Sequence, residues 1–204
     1  MSEQASIQPL AKRHGREAGR LHMEGIPTGF LSSLGLGFLT QLYKAIASCP
    51  GGFGYVWSEG GRTLGFVACA ERVGRLYKEA LKRRGPLMAL PLARYMIRPA
   101  VLRRMWQTWR YPSQVGEALP PAEVLSIAVS PEARGRGVGR ALMSAAVREF
   151  ARRGIGAAKV AVWAGNEGAN AFYPRCGFEL ALQREHHGLP MNVYVVRTGI
   201  HEDE

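Results

Sequence analysis

The sequence predicts an α/β fold in a single domain over residues 1–204, a mixed, mostly antiparallel central sheet flanked by helices. Three observations carry that expectation. The chain has 204 residues, enough for one domain with a substantial core and short for two. Strand-like and helix-like stretches alternate through its middle, the pattern of helices packed on a sheet. Two β-rich apolar runs, EVLSIAVS (123–130) and AKVAVWA (158–164), read as buried strands.

The elements follow in order. SIQPL (6–10) predicts a short first strand. Residues 11–25 and 30–48 carry helical spacing, parted by Pro27 and Gly29. In the second, Leu31, Leu34, Phe38, Leu42 and Ile46 recur at three to four residues and face a core. Residues 52–70 read as two strands joined by a tight turn at Glu59-Gly60-Gly61-Arg62. A basic stretch occupies 71–121. After the strand 123–130, Val138, Leu142, Ala145, Ala146 and Phe150 mark one helix face, closed by Gly154. EGANAFYPR (167–175) predicts a short helix. FELALQREH and MNVYVVR supply a last antiparallel pair across His187-Gly188-Leu189-Pro190.

Composition removes several classes. Apolar residues make up 47% of the chain, which excludes disorder. MSEQASIQPLAKRHG has no apolar core of a secretory signal, and no run approaches the ~18 apolar residues of a membrane span. Cys49, Cys69 and Cys176 are odd in number, widely spaced and never in a CxxC pair, as expected of free thiols rather than of a disulfide framework or a zinc site. A soluble cytoplasmic protein without a metal is the expectation.

PEARGRGVGRAL (131–142) is the most informative stretch. It places Gly135, Gly137 and Gly139 among Arg134, Arg136 and Arg140 where a strand hands over to a helix. The first turn of a helix carries unpaired N–H groups and partial positive charge, which attract phosphate. Glycines let the amides approach an anion, and arginines add forked donors. The spacing matches neither a Walker loop nor the dinucleotide fingerprint, whose third glycine would fall one residue later.

What remains is Arg-x-x-Gly-x-Gly at Arg134, Gly137 and Gly139. This resembles the acetyl-CoA signature of the GNAT N-acetyltransferase superfamily: Gln or Arg, two free residues, Gly, one free residue, then Gly or Ala. NEGANAFYPRCGFE (166–179) is similar to the family's second cofactor segment, through Asn166, Asn170, Ala171, Tyr173, Gly177 and Phe178. The two segments together cover about 122–180 and stand in the family's order.

The resemblance implies a GNAT-like fold, acetyl-CoA as cofactor, and direct acetyl transfer to an amine in a ternary complex. It implies that Arg134, Gly135, Arg136, Gly137, Val138, Gly139 and Arg140 hold the CoA diphosphate. By position it implies that the pantetheine arm pairs with the strand at Ile127, Ala128 and Val129, the Val129 amide polarising the thioester carbonyl. Asn166 is expected to hydrogen-bond the arm, and can also cap the helix that follows it. Pro131 cannot donate to a ladder, so pairing should end there and the neighbouring strand splay away.

A free amine is mostly protonated at neutral pH, so transfer calls for a base, and the departing thiolate calls for an acid. Tyr173 matches the family's general acid; the other reading is a ring packed on the pantetheine. Glu123, eleven residues before Arg134, matches a base of the histone-acetylating branch; the other reading is an idle strand-edge carboxylate. Glu117, Glu24, His22, His186 and His187 are weaker candidates. Cys176 reads as a packing residue.

The stretch 71–121 departs from the family, most of whose members join these strands by a short turn. Residues 71–120 hold eleven Lys or Arg against three Glu, most of the chain's net charge of +11. Pro86, Pro91 and Pro99 are expected to cut it into short helices. Leu102, Met105, Trp106 and Trp109 form an apolar stripe with Arg103, Arg104 and Arg110 beside it. A lid over an acceptor pocket, a homodimer interface, and contact with a membrane surface or nucleic acid all remain open. The acceptor is an amine on a small molecule, such as an amino sugar, or on a peptide. A non-catalytic CoA-binding or docking module is the rival class.

Overall fold

The computed structural model describes residues 5–27, 29–92, 119–186 and 188–199. Seven strands form one sheet: β1 (Ser6–Pro9), β2 (Gly52–Glu59), β3 (Arg62–Ala70), β4 (Glu123–Val129), β5 (Ala157–Trp163), β6 (Glu179–His186) and β7 (Leu189–Arg197). Their spatial order is β1-β2-β3-β4-β5-β7-β6. Every pairing is antiparallel except β4 with β5.

Helices cover both faces. On one lie α1 (Gly15–Gly25), α2 (Phe30–Ser33), α3 (Gly35–Ile46) and α4 (Val73–Leu92), where Leu21, Leu39, Tyr43, Ile46 and Leu76 pack against Val56 and Phe66. On the other lie α5 (Val138–Arg152) and α6 (Glu167–Arg175), where Leu142, Phe150 and Tyr173 pack against Val67, Val124 and Val160. The 3.6-residue spacing of Val138, Leu142, Ala145, Ala146 and Phe150 is the buried stripe of α5, as the sequence predicts. The turn between β2 and β3 has Gly60 and Gly61 at φ 55° and 71°, the two positive angles of a type I′ hairpin.

Two expectations are corrected. Neither Pro86 nor Pro91 ends a helix: α4 runs through both to Leu92. Before Pro86 the clash of the proline ring with the preceding Cβ is absent, because residue 85 is glycine; Pro91 follows Leu90 and has no such relief. Pro99 and the stripe 102–109 lie outside the described residues. The parting of β5 from β4 also begins earlier than Pro131. Glu123 and Lys159 are the one pair in register between these strands, closed by the Lys159 N–H to the Ala122 carbonyl at 2.9 Å. Just beyond, β4 carries a bulge: Ala68 faces Ser126 and Cys69 faces Val124, leaving Leu125 as an extra residue. A bulge bends its strand and sharpens the local twist, and this is where β4 turns away from β5. The ladder with β3 continues to the Ser130 N–H on the Leu64 carbonyl (2.8 Å) and ends at Pro131, as expected.

Candidate functional site

The strands β4 and β5 therefore enclose a wedge, closed at Glu123–Lys159 and open toward the glycine–arginine turn. Antiparallel ladders alternate between residue pairs that exchange both backbone bonds and pairs that exchange none. Ser130 bonds β3, so Ala128 bonds β3 as well, while the peptide groups of Ile127 and Val129 face the wedge. The Val129 carbonyl accordingly accepts the Arg134 Nε–H at 3.2 Å from the wedge side. Of the three residues expected to meet a pantetheine arm, Ile127 and Val129 present free-edge backbone to it. The polar backbone of Ala128 is committed to β3.

The turn at the open end has the features that favour an anion. Gly135 and Gly137 take φ of 73° and 79°, and Gly137 is the N-cap of α5. A Cβ at either would meet nothing within 4 Å, so the requirement there is conformational rather than steric. Gly139 has no such angle, and a Cβ on it would make ordinary contact with the Phe172 ring at 3.4 Å. Val138, Gly139 and Arg140 open the helix and have no carbonyl four residues back within it to accept their N–H groups. Diphosphate fits such a place: the first N–H groups of α5 have no partner within the helix, and the helix dipole favours negative charge.

The three arginines are not equivalent. Arg136 is bound through Nη2 to both carboxylate oxygens of Glu59 at 2.7 and 2.9 Å, and Arg62 pairs with Glu132 at 2.9 Å, so the β2–β3 hairpin tip is strapped to the turn. Arg134 and Arg140 have no carboxylate partner among the described residues. Nothing in the local sequence announces the Glu59–Arg136 pair, whose members lie 77 positions apart.

Across the wedge, the Asn166 side chain caps α6 by accepting the Ala169 N–H at 3.1 Å. Tyr173, 6% exposed, packs its ring against Phe172, Phe178 and Tyr194. Burial pushes its phenol up, so it stays protonated through the neutral range, and its hydroxyl has no hydrogen-bond partner among the described residues. Cys176, half-buried beside Arg140, is a free thiol likewise pushed up by burial, the opposite of an activated nucleophile.

At the closed end Glu123 is 8% exposed. Its Oε2 lies 3.6 Å from Lys159 Nζ, an ion pair too long for a hydrogen bond, and receives none. Burial pushes the carboxyl up while Lys159 and Arg184 pull it down; burial also lowers Lys159, whose ammonium donates to the Pro120 carbonyl. Beside the bulge, His22 Nδ1 stands 2.5 Å from the Tyr43 hydroxyl, and burial pulls His22 down to about 4, which makes it a feeble base. Glu24 is on the surface near Arg20. Glu117, His187 and the side chain of His186 lie outside the description, as does most of the basic stretch.

The chain belongs to the acetyltransferase (GNAT) family, whose sequence pattern matches residues 30–178. It is 43% identical over 58 residues, 28% of its length, to an uncharacterized N-acetyltransferase of Methanocaldococcus jannaschii. It is 41% identical over 69 residues, 34% of its length, to a mycothiol acetyltransferase of Rhodococcus jostii. These matches span 26% and 22% of those two proteins, about a quarter of each. A putative acetyltransferase from Salmonella typhimurium, solved with its cofactor acetyl-CoA, superposes with a TM-score of 0.62 at 14% identity, covering 98% of this chain and 97% of that one. Among the described residues no helix is long and apolar enough to cross a membrane.

Proposed function

We propose that this protein transfers an acetyl group from acetyl-CoA to an amine, directly within a ternary complex. The observation that carries this reading is the wedge: Ile127 and Val129 turn their peptide groups into it, and the amides of the 135–140 turn stand at its mouth. Family membership and the acetyl-CoA complex of the Salmonella protein support the choice of cofactor.

Acetyl-CoA, when bound, supplies an activated thioester. The amides of 138–140 with Arg134 and Arg140 hold its diphosphate. Ile127 and Val129 pair with the pantetheine arm, and a wedge-facing amide of this edge polarises the thioester carbonyl. Asn166 fixes the arm from the facing side. Glu123, raised by burial, accepts the proton of the acceptor amine. It sits four residues before Ile127, roughly 13 Å along the strand, so the proton travels through intervening water. Tyr173 returns a proton to the departing sulfur. A new C–N bond replaces the C–S bond, giving an amide and free thiol, and no enzyme nucleophile takes part. The acceptor is an amine on a small molecule such as an amino sugar, or on a peptide.

The test is acetyl-CoA titration by calorimetry, then thiol release with a panel of amines read out by product mass. Binding with acceptor-dependent release is expected. Absence of binding at millimolar acetyl-CoA overturns the reading. Binding without release from any amine favours a module that holds CoA and performs no transfer.

A further inference from the structure

The helix that Asn166 caps and that carries Tyr173 is hydrogen-bonded to the end of β5 and to β7 through one side chain, Asn170. Its two Nδ2 hydrogens are shared among three backbone carbonyls, those of Trp163 (3.0 Å), Ala164 (3.1 Å) and Asn166 (2.7 Å). Its Oδ1 accepts from Asn192 Nδ2 (2.7 Å) and from the Tyr194 hydroxyl (3.0 Å). Asn192 Oδ1 in turn accepts from Gln183 Nε2 at 2.8 Å. Every hydrogen-bonding site of the Asn170 amide is used. The amide cannot be flipped, because its oxygen would then meet three carbonyl oxygens.

Asparagine is a poor residue for a helix interior, so its place one turn into α6 has another cause. The carbonyls it binds line the bend where β5 ends and α6 begins. Asn170 joins that bend to the helix, and Asn192 and Tyr194 hang both from β7. Tyr194 acts twice: its hydroxyl holds Asn170, and its ring lies 5.7 Å, centroid to centroid, from the Tyr173 ring.

We propose that Asn170, held by Asn192 and Tyr194, is the positioning residue that sets Asn166 and Tyr173 against the end of β5. The proposal rests on the acetyl-transfer reading above. Loss of the clamp lets the start of α6 drift from the wedge, and the grip on the cofactor arm weakens before the fold does.

Two variants leave side-chain volume nearly unchanged. Asn192→Asp replaces the donor facing Asn170 Oδ1 by an oxygen. Tyr194→Phe keeps the ring against Tyr173 and removes one donor. Acetyl-CoA affinity is measured by calorimetry at a temperature where circular dichroism shows each variant fully folded. The expected result is affinity about tenfold or more weaker for Asn192→Asp and several-fold weaker for Tyr194→Phe. A purely structural role would lower the melting temperature and leave the affinity of the folded protein at the wild-type value, which overturns the proposal. Should Asn192→Asp not fold, Tyr194→Phe alone decides by the same criterion. A wild-type protein that binds no acetyl-CoA removes the transfer reading and this proposal with it; wild-type binding with unaltered variants removes only the proposal.

Discussion

Glu123 and Lys159 face each other, 3.6 Å apart, at the one point where β4 and β5 are still in register. The pair closes the wedge, and a carboxylate there lies between the sheet and α4, whose Tyr77 is close enough to feel its charge. Glu123→Gln keeps the shape and removes the proposed base. Turnover is expected to fall by roughly 100-fold or more with acetyl-CoA affinity retained. Steady-state kinetics beside calorimetry checks this; turnover unchanged would leave the pair a structural one.

Lys159→Met should instead be costly to the fold. It removes the nearer of the two cations that act on a buried carboxylate, a loss of up to about 3–5 kcal/mol when one partner of such a pair is removed. Urea unfolding of the variant measures it, and the double variant with Glu123→Gln should recover much of the loss, since no charge is then stranded.

Tyr173→Phe retains the ring packing against Phe172, Phe178 and Tyr194. If Tyr173 is the general acid, as proposed, the loss of its hydroxyl should lower turnover by roughly 10- to 1000-fold at wild-type stability. A melting curve and a thiol-release assay on the same sample separate the two effects.

The glycine–arginine turn makes a paired prediction. Alanine at Gly137 must adopt a left-handed angle, at a cost of about 1–2 kcal/mol, and should weaken acetyl-CoA binding. Alanine at Gly139 meets only ordinary contact with Phe172 and should be nearly silent in stability. Equal effects at both positions would contradict the conformational account.

Acid should weaken the fold through Glu149. The Arg152 guanidinium foremost, with Arg153, holds its carboxyl down at about 2 against an ordinary 4.5. A depressed folded-state value means the unfolded chain takes up the proton first. The stabilisation is therefore complete above about pH 5 and fades as pH falls toward 2. Urea midpoints at pH 7 and pH 3 should differ more for the wild type than for Glu149→Gln.

How much of this was legible beforehand depends on the range of the interaction. The 135–140 turn, the Asn166 cap and the Gly60-Gly61 hairpin are each settled within a few residues, and their sequence signals stood out. The bulge at Leu125 is a matter of how β4 meets β3, and nothing in EVLSIAV marks it. Without the bulge, Pro131 was the visible cause for a parting that starts six residues earlier. Pro86 and Pro91 misled for the opposite reason: each is a strong local signal for a break, and α4 runs through both. The engagement of Arg136 by Glu59 and of Asn170 by Asn192 and Tyr194 joins distant stretches, and spacing within either stretch carries no trace of it.

Local chemistry pointed to the kind of ligand we propose, an anion at the start of α5, through Gly135 and Gly137, whose left-handed angles glycine takes readily. It also settled the order of strands and helices, because hydrophobic periodicity follows backbone geometry over single elements. Which peptide groups are free to meet that ligand was decided by packing. One extra residue in β4 turns the amides of Ile127 and Val129 outward, and the parting from β5 leaves them unpaired. Backbone direction in a sheet is a property of paired strands, so only the assembled sheet could assign it.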